Sequence, residues 1–230
     1  RCDYALDVLN RMIWKSDRDG AVTPFAYDAA NHVTHRSMPG GLQWRAEYNA
    51  AGQLLKSWNL ADSLGTRTNT HTYFAAGSPF AGLQQTHTDG RGVVCTMGYD
   101  DFLRPATNSY SGSLPEHNLT TTRTYDARGL VTEVSENFAS GSTGPSTLVS
   151  RSYDPYGQLE GETVSVGGST HSSTSQQWNS GARRTWLSFS GFTYNFGWQA
   201  DGQLSALSAG WASGSYGYTT AGLLNTRTMN

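Results

Sequence analysis

Apolar and polar positions alternate along much of the chain. In Leu42-Gln43-Trp44-Arg45-Ala46-Glu47-Tyr48 the alternation places Leu42, Trp44, Ala46 and Tyr48 on one face and Gln43, Arg45 and Glu47 on the other. Other segments alternate less well: Val93-Val94-Cys95-Thr96-Met97 is apolar on both faces, and Thr120-Thr121-Thr122-Arg123-Thr124 has little to bury. No segment sustains an i, i+3, i+4, i+7 stripe with helix caps, so the pattern predicts strands and at most a trace of helix.

Between these segments one unit recurs, most clearly as Ser152-Tyr153-Asp154-Pro155-Tyr156-Gly157-Gln158-Leu159. It reads as strand, tight turn, strand: Asp opens a turn by bonding nearby backbone, Pro presets φ, and Gly tolerates the conformation in which the turn ends. The series begins with Leu6 in the aromatic position and continues through Tyr27-Asp28, Tyr48 with Gly52 and Leu54, and a looser copy at Tyr73 with Gly77. Tyr99-Asp100 follows without the Gly, then Tyr125-Asp126 with Gly129, and Tyr153-Asp154 with Gly157 and Leu159. Trp178-Asn179-Ser180-Gly181 reads as one residue short, and the last copies are Trp198 with Gly202 and Leu204, and Tyr218 with Gly222 and Leu224. These anchors at 6, 27, 48, 73, 99, 125, 153, 178, 198 and 218 lie 20 to 28 residues apart. Loops of varying length inserted into a fixed supersecondary unit produce such drift.

A second turn lies inside the unit, because Gly20, Gly41, Gly92 and Gly191 each fall seven residues before an anchor. Turn, strand, turn, strand then fills about 20 residues. The longer repeats put their extra residues here, in 111–116 and 139–146, so one edge of the sheet is expected to be ragged and the other tight. The expected organisation is a single continuous array over 1–230, with the chain a piece of something longer because it starts at Arg1 without Met or a signal peptide.

Composition agrees with strands and turns: Ile occurs once and Lys twice, against 12 Tyr, 7 Trp and 26 Gly. A net charge of -2 gives no field that would gather nucleic acid or an anionic membrane, and no apolar run reaches the ~18 residues of a membrane span. Cys2 and Cys95 are too few for a disulfide framework; one bridge is conceivable, and two free thiols are the plainer reading. Asn118-Leu119-Thr120 is a glycosylation sequon, meaningful only in a eukaryotic secretory pathway.

The Tyr-Asp-x-x-Gly-x-Leu units, from about residue 4 to 226, resemble the YD repeats of the RHS/YD-repeat family of bacterial polymorphic toxins, insecticidal toxin complexes and teneurins. That resemblance implies an all-β array of antiparallel hairpins in a twisted, spiralling sheet, a secreted or surface shell or fibre of bacterial origin, and an enclosed toxin or other cargo. Partners implied are flanking repeats of the same chain or further copies meeting at sheet edges. The family's core motif and aspartyl self-cleavage site are missing. Asp154-Pro155-Tyr156-Gly157 fits the motif's first letters but continues Gln158-Leu159-Glu160-Gly161, in phase with the repeats, and reads as an ordinary turn.

No residue pattern points to catalysis or to a cofactor. His32 and His35, three apart on a strand, would face opposite sides and not share a metal ion. Asp17-Arg18-Asp19-Gly20 lacks the later ligands of a calcium loop, and Asp89-Gly90-Arg91-Gly92 lacks a helix to hold a phosphate. There is no Gly-x-Ser-x-Gly and no distinguished carboxylate pair. The expected role is a non-catalytic scaffold. The alternative is a carbohydrate-binding or adhesion module that stacks sugars on Trp14, Trp44, Trp58, Trp186 and Trp211, weighed against the packing role aromatics have in sheets.

Overall fold

The computed structural model describes residues 2–38, 40–60, 67–112, 118–139 and 144–230. Of the long insertions expected at 111–116 and 139–146, residues 113–116 and 140–143 lie outside these. The described chain is all β, with twenty strands, and no helix is long and apolar enough to cross a membrane. It divides into two compact units, Arg1–Leu119 and Thr120–Asn230.

In the first unit the strands are β1 (Tyr4–Leu6), β2 (Met12–Ser16), β3 (Val22–Tyr27), β4 (Val33–Ser37), β5 (Gln43–Tyr48), β6 (Leu54–Leu60), β7 (Thr68–Tyr73), β8 (Gln84–Thr88), β9 (Val94–Tyr99) and β10 (Pro105–Ser111). Each pairs antiparallel with the next in sequence, giving a meander with no crossover. Beyond β11 (Leu119–Tyr125), the second unit holds β12 (Val131–Phe138), β13 (Thr147–Tyr153), β14 (Leu159–Val166), β15 (Ser169–Trp178), β16 (Arg184–Phe189), β17 (Phe192–Trp198), β18 (Leu204–Ala209), β19 (Ala212–Tyr218) and β20 (Leu224–Met229). From β12 to β20 the same sequential antiparallel pairing holds.

A feature absent from the sequence reading recurs at the tight turns. At the four-residue turns the anchor pairs with the residue six positions on, and the register slips at that point, as in Ala26↔His35 followed by Tyr27↔Val33. Thr34 is thereby the extra residue of a β-bulge. The same slip occurs at Tyr48, Tyr153, Trp198 and Tyr218, so every such hairpin carries the local bend and added twist that a bulge imposes.

Burial is shallow. The buried residues of the first unit are Thr23, Ala46, Ser57 and Cys95, and the registers put them on one face together with Tyr27, Tyr48 and Tyr99. Gln176, buried in the second unit, shares its face with Trp178. The predicted alternation in β5 holds, with Ala46 buried and Glu47 exposed, and in β11 the buried position is the polar Thr121. A Thr with little apolar surface is buried there because a single-layer sheet covers central positions with its own neighbours. Both cysteines are free, Cys2 exposed and Cys95 buried.

Candidate functional site

The repeating turn has the same chemistry wherever it opens with Asp or Asn, whereas the Trp198 and Tyr218 turns open with Gln199 and Thr219 and use other acceptors. In Tyr153-Asp154-Pro155-Tyr156-Gly157-Gln158, the Asp154 amide donates to the Gln158 carbonyl at 2.9 Å and the Gly157 amide to the Asp154 carbonyl at 3.0 Å. Asp154 Oδ1 accepts the amides of Tyr156 and Gln158, each at 2.8 Å. One carboxylate oxygen thus pairs two N–H groups that the turn would leave unpaired. Asp7, Asp28, Asp89, Asp100 and Asp126 repeat this arrangement. Asn49 and Asn179 show that the carbonyl oxygen of an amide serves equally. The backbone amides of Arg11 and His32, foremost, hold the Asp7 and Asp28 carboxyls below the ordinary carboxylate range.

The fourth turn residue has positive φ: +78° at Gly52, +87° at Gly129, +86° at Gly157, +92° at Gly202 and +79° at Gly222. Two sequence readings change here. The Trp178 turn is full length, with Ala182 at +57° in the place normally held by Gly and Gly181 one position earlier. In the Tyr73 repeat Gly77 does not close the turn: Tyr73 pairs with Gln84, and the Gly82 amide donates to the Phe74 carbonyl at 3.0 Å. The insertion sits at the edge expected to be tight, and Phe74 and Phe80 order it by packing on Tyr99, with ring centroids 6.2 and 5.9 Å from the Tyr99 ring. Leu103, at +63°, replaces the missing Gly of the Tyr99 repeat.

The anchors do more than pack. The Tyr27 hydroxyl donates to the Met12 carbonyl at 2.8 Å, Tyr48 to Val33 at 3.1 Å, Tyr73 to Leu54 at 2.8 Å and Tyr99 to Gln84 at 2.9 Å. In the second unit Tyr153 donates to Val131 at 2.8 Å, and the indole N–H of Trp178 and Trp198 to Leu159 and Arg184 at 2.8 and 2.7 Å. The acceptor is each time the first residue of a strand, and the donor ends the next. Each bond therefore ties one tight turn to the following one. Partial burial pushes the Tyr73 and Tyr99 phenols above their ordinary value, so they remain protonated donors.

A third link runs between turns. In three turns the residue after the positive-φ position reaches the next turn: Arg11 Nη1 donates to Asn31 Oδ1 at 2.8 Å, Gln53 Nε2 to the Gly82 carbonyl at 2.7 Å and Gln203 Nε2 to the Gly222 carbonyl at 3.3 Å. His32 lies over Gly52, where a Cβ would stand 2.8 Å from Nε2, and the Arg183 guanidinium covers Gly202 in the same way. The turn glycine is thus fixed both by φ and by the side chain seated on it. Spacing in the sequence marks the Asp, the Gly and the aromatic, whereas these links arise only where neighbouring repeats meet. The available signal was that nine of the ten anchors are Tyr or Trp and none is Phe, which marks a requirement for a donor.

The five tryptophans considered for sugar stacking are not gathered into one platform. Trp44 lies on the face of the anchors, with the Arg36 guanidinium 5.0 Å from its ring; Trp14 and Trp58 lie on the opposite face, and Lys56 stands 5.0 Å from Trp58. Trp186 pairs with Gln177 and Asn195, away from the anchor Trp178, and Trp211 is 79% exposed at a hairpin tip. His32 stacks on Tyr48 at 4.7 Å while His35 pairs with Ala26 and Arg45 on the other side, and no cluster of metal-ligating residues occurs among the described residues. Asp17 and Asp89 open ordinary turns, and Arg91 is paired with Asp89 at 2.7 Å.

No protein-family profile and no curated protein matches the chain. Solved structures do. A crystal structure of TcdB2-TccC3 aligns over 100% of this chain with a TM-score of 0.74 at 14% identity, and TcdB2-TccC3 without its hypervariable C-terminal region over 100% with 0.73 at 13%. The Photorhabdus luminescens Tc holotoxin pore aligns over 98% with 0.58 at 13% identity. The chain spans 12 to 13% of the length of these proteins. Their shell is built from RHS/YD repeats, and at the level of fold this chain is the same antiparallel repeat sheet.

Proposed function

We propose that the chain is a stretch of non-catalytic structural wall, part of a secreted or surface shell or fibre of bacterial origin. The observation that carries this reading is the aromatic-to-carbonyl bond repeated from Tyr27 through Trp198. A machine for one reaction would break the repeat in a concerted way at one place. Here the breaks, at Leu103, Ala182 and 74–83, each keep the turn bonds and the sheet pairing. Ten successive anchors supporting both units favour counting 1–230 as one array in the sequence.

The likeness to Tc toxin structures supports a wall that encloses a toxin or other cargo, the cargo being encoded outside this stretch. Its partners are further YD hairpins, from the same chain or from another copy, adding to a sheet edge. β20, exposed at all six positions, is one such edge. The test is the solution state of the 230-residue chain by size-exclusion chromatography with light scattering. Concentration-dependent association that is abolished by Pro at Arg227 or Met229, whose amides face away from β19, supports the reading, and a strictly monomeric, highly soluble chain contradicts it.

A further inference from the structure

A cleft of about 320 Å³ opens on the anchor face of β2, β3 and β4, lined by Lys15, Asp17, Thr23, Phe25, Arg36 and Met38. Cross-strand pairing brings these side chains together, since Lys15 is opposite Thr23 and Phe25 is opposite Arg36. None of them is an anchor, and only Asp17 and Met38 take part in turns, through their backbones.

Three properties mark the cleft as built for a ligand. Thr23, at its floor, is 6% exposed, and its hydroxyl has no hydrogen-bond partner among the described residues. The hydroxyl is not among the buried unpaired side-chain atoms, so it is reachable from the cleft and open to a partner supplied by a ligand. Lys15 and Arg36 have no carboxylate partner among the described residues, although Asp17 stands at the same rim. Arg36 is also preorganised, because its guanidinium lies 5.0 Å from the Trp44 ring and keeps the N–H edge free for a planar anion.

We propose that this cleft binds the carboxylate-bearing ring of an acidic saccharide. Arg36 takes the carboxylate through its N–H fork and Lys15 adds a second cation. Thr23 and Asp17 pair ring hydroxyls, and Phe25 and Met38 receive the C–H face of the ring. Asp17 sets the charge limit, since a carboxylate at the rim repels a dense polyanion while serving as an acceptor for sugar hydroxyls. The volume falls at the lower end of the range for small-ligand pockets, suited to one or two rings. This site is independent of the scaffold reading and would stand if that reading failed.

The test is calorimetric titration of the 230-residue chain with digalacturonate, its neutral methyl ester and sodium sulfate. Digalacturonate is expected to bind saturably and the methyl ester at least tenfold more weakly, with sulfate failing to compete at equal concentration. Arg36→Gln and Thr23→Val are each expected to weaken digalacturonate at least tenfold, while Arg45→Gln, on the opposite face of the sheet, leaves it unchanged. Lys15→Gln, a change at an exposed position, gives a smaller loss and guards against misfolding of the Thr23 variant. Equal binding of the ester, equal competition by sulfate, unchanged affinity in the Arg36 and Lys15 variants, or no saturation at concentrations on the order of 10 mM overturns the proposal.

Discussion

The Tyr153 hydroxyl donates to the Val131 carbonyl at 2.8 Å, joining residues 22 positions apart at the ends of two successive tight turns. Replacing Tyr153 by Phe keeps the ring and removes the donor, leaving a half-buried carbonyl unpaired. A loss of about 1 kcal/mol is expected in denaturant unfolding. Tyr153→Trp should lose less, because Trp178 and Trp198 make the same bond through the indole N–H.

Asp154 distinguishes charge from geometry. Asp154→Ala removes the acceptor for two backbone amides and is expected to cost about 1–2 kcal/mol. Asp154→Asn should cost less than half as much, as the native Asn49 and Asn179 turns already use an amide oxygen. Equal losses in the two variants, measured by thermal unfolding, would show that charge rather than acceptor geometry matters.

The fourth turn position works in both directions. Gly202→Ala meets a φ of +92° and the seated Arg183 guanidinium, and should destabilise by about 1 kcal/mol or more. Leu103→Gly and Ala182→Gly relieve positive φ values of 63° and 57° and should be neutral or stabilising. Calorimetric melting of the three variants checks the order.

Acid should weaken the fold in two steps. The His71 pKa is held below its ordinary 6.5 by burial and then by the stacked His87, with ring centroids 4.8 Å apart. Protonation therefore favours the unfolded chain, and stability present above about pH 6.5 declines as pH falls toward the lowered folded value. The Asp7 and Asp28 carboxyls, also depressed, add stability that is present above the unfolded pKa near 3.8 and lost as pH falls through their folded values. Unfolding midpoints measured from pH 8 to 3 should drop first below pH 6.5, and His71→Phe should shrink that first drop, the remainder belonging to His35, whose pKa is also lowered by burial and then by Arg45.

Much of the fold could be read from the chain because its signals are local. Tyr153, Asp154 and Gly157 lie within one turn, so spacing alone locates the hairpins. The bulges opposite the anchors, the insertion in 74–83 and the seat of Arg183 on Gly202 depend on neighbouring repeats and are invisible to a window of eight residues. Ala182 escaped notice because propensity marks Gly181 as the turn glycine, whereas register puts the positive φ one residue later. The Lys15, Thr23 and Arg36 cleft likewise forms only through cross-strand pairing of residues that are unremarkable in sequence.

Stability is expected to pass from each repeat to the next through the anchor bond. Amide hydrogen exchange of Tyr153→Phe beside the parent chain tests it most directly. Faster exchange confined to β12 through β15, with β3 to β6 unchanged, is the expected result. Uniform acceleration over the whole chain, or none at β12 and β13, would contradict it.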